Sequence, residues 1–170
     1  ILFTGFLSFF FYLSLNTVSF SYETAIFIFI VIGASLLLLT SSDLLLSYLS
    51  IELQSLALYV LAGSKTNSTF STEASLKYFV LGSFASSVLL FGISLFYALL
   101  GTVNFSDSLL LLDLAPSSLQ VGYYTACILI FTGLLFKVGV APFHFWVADV
   151  YSGSPLSIFS FFALLPKIAV

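Results

Sequence analysis

Glu52, Lys77, Lys137 and Lys167 fall inside or beside long apolar stretches of this 170-residue chain, and His144 and Asp149 follow Pro142 within a few positions. A charge at the middle of a bilayer costs about 2.5–3.5 kcal/mol on insertion scales, so residues of this kind pair, meet water or serve an ion path. Three lysines cannot all be neutralised by one carboxylate. Those left over lie in water or titrate, because loss of solvent disfavours the charged form of an ammonium group. Such a group can accept and release a proton. The alternative is a static Glu–Lys pair that only locks helices together. Lys77 has its own bland explanation, an interfacial i,i+4 pair with Glu73. His144 is either a structural hydrogen-bonding residue or a proton relay beside Lys137.

The stretch Phe131–Pro155 places these groups around a break. It starts as an apolar helix, carries Lys137 and then meets Pro142. A proline inside a helix removes a backbone hydrogen bond and clashes with the preceding turn. In a bilayer the freed carbonyls must find partners in other helices, side chains or water. A lysine and a histidine beside a broken membrane helix suit an ion or proton path; a kinked helix with a snorkelling lysine is the competing explanation.

Composition sets the class of protein that must position these residues. The chain is 61% hydrophobic and 6% charged, with a mean hydropathy of +1.21, whereas soluble domains carry roughly 25% charge. The sequence therefore predicts an all-α, polytopic membrane protein, a single membrane domain over residues 1–170 with about six transmembrane segments. Net charge is −3, and the basic residues are four lysines. No basic patch for nucleic acid is present. One cysteine, Cys127, and one histidine offer no disulfide framework and no ligand set for zinc, haem or an iron–sulfur cluster. Any redox cofactor then belongs to a partner. Ile1–Leu15 has neither a basic flank nor a small-residue cleavage site, so it does not read as a signal peptide. The chain opens on Ile1 and closes inside an apolar run at Val170, which points to a fragment of a longer or split subunit.

In order, the segments are Ile1–Leu15, Tyr22–Thr40, Asp43–Ala62, Glu73–Leu100, a stretch from Gln120 broken at Pro142, and one starting at Pro155. Thr40–Asp43 is a polar turn with an N-cap signal for the third segment, and Ser71-Thr72 is another for the fourth. Glu52 lies nine residues after Asp43, about 14 Å along a helix and near mid-membrane. Tyr48, Glu52, Ser55 and Tyr59 recur at helical spacing as one polar stripe. Gly82, Ser83, Ala85, Ser86 and Ser87 suit close helix approach. Gly101–Ser118 is expected as a loop, with Asp107 and Asp113 opposite Lys65, which the positive-inside rule assigns to the matrix or cytoplasmic side. Gln120–Tyr151 would be about 46 Å long as one helix, longer than the ~30 Å core, so a discontinuous arrangement is expected. Lys167 stands next to Pro166. Asn67-Ser68-Thr69 and Asn104-Phe105-Ser106 match the glycosylation pattern, which is too short to carry weight.

Two runs carry a resemblance. STEASLKYFVLGSFASSVLLFG at Ser71–Gly92 and FKVGVAPFHFWVADVYSGSP at Phe136–Pro155 resemble the antiporter-like membrane subunits of respiratory complex I, in the branch of subunit 2 and bacterial subunit N, with wording that leans mitochondrial. The resemblance implies an antiporter-like half-repeat spanning the family's third to eighth transmembrane helices. It implies a proton path in which Glu52 and Lys137 form the coupled pair. Lys167 then hands the proton on, and Lys77 and His144 assist beside the helix break at Pro142. Spacings of 25, 60 and 30 residues between Glu52, Lys77, Lys137 and Lys167 are similar to those of the family.

The resemblance further implies a core subunit of the proton-pumping NADH:ubiquinone oxidoreductase of the mitochondrial inner membrane. No cofactor is expected in this chain; NAD, FMN, iron–sulfur clusters and ubiquinone would be bound by partner subunits. The expected partners are neighbouring antiporter-like and small membrane-arm subunits and lipids such as cardiolipin, with no nucleic acid. A subunit of a cation/proton antiporter complex and a non-catalytic membrane scaffold are the alternatives.

Overall fold

In the computed structural model, residues 3, 5–6, 9–10, 22–65, 67–114, 119–154 and 156–170 are described. From residue 22 on they form seven helices: α1 Tyr22–Thr40, α2 Leu44–Ala62, α3 Thr69–Leu100, α4 Phe105–Leu114, α5 Gln120–Val138, α6 Phe145–Gly153 and α7 Leu156–Ala169. By length and composition α1, α2, α3 and α5 are long and apolar enough to cross a membrane. This is a membrane protein. The segment Ile1–Leu15 falls mostly outside the described residues, and α7 has 14 residues, about 21 Å, short of a full core crossing.

Several boundaries differ from those read in the sequence. The cap of α3 is Ser68, whose side chain accepts from the Ser71 N–H. The helix therefore begins one turn before the Ser71-Thr72 signal. Ser71 instead ties helices together, its hydroxyl donating to the Ala62 carbonyl at 2.7 Å. The expected loop 101–118 contains α4, because Asn104 Oδ1 accepts from the Ser106 N–H at 3.2 Å and caps a helix with four consecutive leucines in its middle. Asp43 stands at the N-cap position of α2 but makes no side-chain cap bond. The backbone does that work: Leu44 N–H donates to Val103 O and Phe105 N–H to Ser42 O, so the α1–α2 and α3–α4 connections are stitched together at one end of the bundle.

At 32 residues, α3 is about 48 Å long and forms the spine. α5 runs antiparallel along it. A Cβ on Gly92 would stand 2.8 Å from Ile130 N, and one on Gly133 would stand 2.7 Å from Leu89 Cβ. Without these side chains the two backbones approach closely, which is how helices adhere where lipid removes most of the hydrophobic drive. α6 continues along α3 beyond the end of α5. Its Gly153 rests on Phe70 and Ala74, in the first turns of α3. Together α5 and α6 make one interrupted pass beside the spine. α1 packs on α2, and α7 meets α1 and α2. The buried core joins Ile28 and Val31 of α1, Leu58 and Leu61 of α2, Tyr78 of α3 and Phe136, Trp146 and Phe161 of the C-terminal half.

Most hydroxyls stay within their own helix. Ser35, Ser47, Ser50, Ser86 and Ser94 each donate to the carbonyl three residues earlier, as do Thr125 and Thr132. Such bonds satisfy a hydroxyl without a second helix. In the expected small-residue patch, Ser83 and Ser87 do the same, while Gly82 and Ala85 are buried in the packing.

Candidate proton-transfer site

Lys137 occupies the last turn of α5, and the stripe on α2 meets it. Its Nζ donates to Ser55 Oγ at 3.2 Å, Tyr59 Oη at 3.4 Å and Glu52 Oε2 at 3.5 Å. An ammonium has three donors, and three residues at i, i+3 and i+7 of one helix face take them. The lysine side chain is 8% exposed and the glutamate 24%. Ser55 also donates to the Glu52 backbone carbonyl at 3.0 Å, which fixes its hydroxyl beside the pair. Tyr59 can reach the site because Gly82 has no side chain: a Cβ there would stand 2.8 Å from Tyr59 Cζ, and its hydroxyl is closer still. Tyr48, the fourth member of the expected stripe, has no bond to Lys137.

The helix break lies just beyond Lys137. Gly139 adopts φ 75° and ends α5, a conformation that costs glycine little. Its N–H donates to the carbonyl of Leu135 at 3.0 Å, and Val140 N–H to the same oxygen at 3.2 Å. The break therefore starts three residues before Pro142. Pro142 sits within the four-residue turn that follows, not inside a helix, and its peptide bond with Ala141 is cis. Two of the carbonyls at the break, those of Leu135 and Phe136, find partners of the kind a bilayer demands. Phe136 O accepts from Gly139 N–H at 3.1 Å and from Trp146 Nε1–H at 3.2 Å. Trp146 is buried, stacked on Phe136 and on Tyr78 with ring centroids 5.9 and 5.0 Å away. Tyr78 in turn meets Tyr59 edge-on at 4.6 Å.

The other sequence-predicted residues lie apart from this pair. Lys77 is bonded to Glu73 Oε1 at 2.8 Å and Asp149 Oδ2 at 3.0 Å, with its side chain 45% exposed. The i,i+4 pair with Glu73 weighed from the sequence is thus present, and Asp149 is a partner that sequence reasoning missed. His144 is exposed at the N-cap position of α6 and makes no side-chain cap bond. Lys167 is exposed next to Pro166, its Nζ 5.8 Å from the centroid of the Tyr151 ring. None of the three is hydrogen-bonded to Lys137. Among the described residues no group of three or more His, Cys, Asp or Glu could hold a metal ion.

The profile of the family described as NADH:quinone oxidoreductase/Mrp antiporter, transmembrane, matches residues 41–170. The chain belongs to this family. NADH-ubiquinone oxidoreductase chain 2 of Marchantia polymorpha is 41% identical over 154 residues, covering 88% of this chain and 32% of that protein. NADH-quinone oxidoreductase subunit N 1 of Acidiphilium cryptum is 44% identical over 149 residues, covering 88% and 31%. In three dimensions the chain is similar to a subunit of respiratory complex I from Thermus thermophilus with bound Aureothin, at a TM-score of 0.82 and 34% identity, covering 98% of this chain and 36% of that one. The chain spans about a third of the length of these relatives. Its antiporter-like helical architecture is that of the family.

Proposed function

We propose that this chain is part of a core membrane-arm subunit of a proton-pumping NADH:ubiquinone oxidoreductase, and that it carries protons across the mitochondrial inner membrane. The observation that carries this reading is the buried contact of Lys137 with Glu52, Ser55 and Tyr59 at the end of a broken helix. With Glu52 charged and in place, the ammonium has a partner for its charge. With Glu52 neutral or withdrawn, two hydroxyls remain, and losing the proton relieves an unpaired charge in an apolar surrounding. A partner subunit that moves charge near Glu52 thereby moves a proton on Lys137. Lys167, further along the chain, takes the role of onward carrier, and Lys77 and His144 flank the path. The NAD, FMN, iron–sulfur and ubiquinone chemistry is assigned to partner subunits. The expected neighbours are the other antiporter-like and small membrane-arm subunits and lipids such as cardiolipin.

A cation/proton antiporter complex is the second reading, since the family description names both kinds of assembly. Relatives above 40% identity with NADH oxidoreductase names put it second, and co-purification with quinone-reductase subunits separates the two. The direct test is Lys137→Ala in the native assembly, reading NADH:quinone turnover and proton pumping on isolated membranes, with a native gel to confirm assembly. Pumping is expected to fall further than turnover, so that fewer protons move per NADH oxidised. An assembled complex with both at wild-type levels leaves Lys137 a structural residue and overturns the mechanism.

A further inference from the structure

Asp149 lies outside the pair described above, yet it is the charged residue by which α6 holds α3. Its Oδ2 accepts from Lys77 Nζ at 3.0 Å across 72 residues of sequence. About one turn earlier on α6, Trp146 stacks on Tyr78, the neighbour of Lys77. About one turn later, Gly153 lies so close to α3 that a Cβ there would stand 2.8 Å from the Phe70 carbonyl oxygen. An aromatic stack, an ion pair and a backbone contact thus fasten α6 to α3 at successive turns. Among these three the ion pair alone is charged. It lines an open pocket of about 440 Å³ with Phe70, Glu73 and Ser152, room for on the order of ten water molecules.

The fastening bears on the buried pair through the rings beside it. Trp146 packs against both Tyr78 and Phe136. Tyr78 meets Tyr59, whose hydroxyl is bonded to Lys137. Lys77 also has a second carboxylate, Glu73, on its own helix at 2.8 Å. If Lys77 turns wholly to Glu73, the bond to α6 opens without leaving a bare ammonium behind. Ion pairs this exposed are weak, so this is the fastening that a local change of charge undoes. The turn at 139–144, with Gly139 in the left-handed region, is where α6 would pivot.

We propose that Asp149 is a positioning residue for the proton path: through Lys77 it latches α6 to α3 and holds the Tyr78–Trp146 stack closed beside the Lys137–Glu52 pair. The latch rests on the proton-translocating role proposed above. Opening it would let water from the pocket reach the Tyr59 hydroxyl.

The test uses the native complex and reads protons moved per NADH oxidised, a ratio that does not depend on how much complex assembles. Asp149→Asn is expected to lower the ratio by at least half of the drop caused by Lys137→Ala. Asp149→Glu keeps the charge within reach of Lys77 and is expected to retain the wild-type ratio. A wild-type ratio in Asp149→Asn overturns the latch. So does an Asp149→Glu variant as impaired as the amide, because pairing with Lys77 would then not be what the residue supplies. Should Asp149→Asn not assemble, Asp149→Glu alone decides: a wild-type ratio supports the latch and an impaired one overturns it. If Lys137→Ala leaves the ratio unchanged, the proton-path reading itself has failed, and that outcome is distinct from a failure of Asp149 alone.

Discussion

Glu52→Gln removes one charge and leaves the shape of the side chain and an acceptor oxygen in place. In the native chain Lys137 Nζ stands 3.5 Å from Glu52 Oε2. Coulomb attraction at that separation is about 5 kcal/mol for an effective dielectric near 20. Glu52 is 24% exposed, and solvent and salt screen its share, so about 2–4 kcal/mol is the working figure. At 1.4 kcal/mol per tenfold, its loss changes the population of charged, paired lysine by about 30- to 700-fold. Protons moved per NADH should then fall to the level of Lys137→Ala. Glu52→Asp withdraws the carboxylate by one carbon, and the gap opens to roughly 5 Å. The attraction drops to about 3 kcal/mol, an intermediate loss. The assay is NADH-driven acidification in sealed membrane vesicles, with turnover and a native gel on the same membranes. An assembled Glu52→Gln complex with wild-type protons per NADH refutes the reasoning. An aspartate variant worse than the glutamine one refutes the dependence on distance.

Two further substitutions separate stability from coupling. Trp146→Phe keeps a ring in the stack and removes the N–H that reaches Phe136 O at 3.2 Å; because Gly139 N–H still serves that carbonyl, the cost should be about 0.5–1.5 kcal/mol, read as faster thermal inactivation of turnover. Gly82→Ala places a methyl against the Tyr59 ring and hydroxyl, an overpacking of about 1–3 kcal/mol. Both heat stability and protons per NADH should fall there, whereas Gly92→Ala, pressed on the Ile130 backbone ten residues further along α3, should lower heat stability alone.

Helical periodicity made much of this legible in the sequence. The span Tyr22–Thr40 emerges with the bounds the apolar run suggests, and α2 begins one residue after Asp43. The stripe through Glu52, Ser55 and Tyr59 is a property of one helix face, so it could be read without knowing its partner. Charge balance in lipid called for a lysine partner to Glu52, and that the partner is Lys137 was implied by the family resemblance alone. What could not be read depends on competition between signals or on distance along the chain. Ser68 and the pair Ser71-Thr72 are equally good caps on paper, and the structure uses the first while turning Ser71 across to Ala62. Pro142 has the chemistry of a helix breaker, but Gly139 three residues earlier ends α5 through its left-handed backbone. The apolar run within 101–118 was obscured by its two aspartates, although Asn104 announces a helix start. The bond between Lys77 and Asp149 joins residues 72 apart, and no local pattern encodes it.

The serine and threonine hydroxyls that bond back to their own helices bear on how such a chain reaches the bilayer. A span whose polar groups are already internally satisfied can leave the insertion machinery and rest in lipid alone, before any neighbour has been synthesised. The serine and threonine hydroxyls of α1, α2 and α3 that bond within their own helix therefore place no demand on a neighbour, whereas Ser71 reaches across to Ala62. Lys137 cannot be satisfied that way. Its acceptors lie on α2, made some eighty residues earlier, so α2 must be waiting in the membrane when α5 emerges. The order of synthesis along the chain meets that requirement, and the residue proposed to carry the proton also marks the moment at which separately inserted helices become one protein.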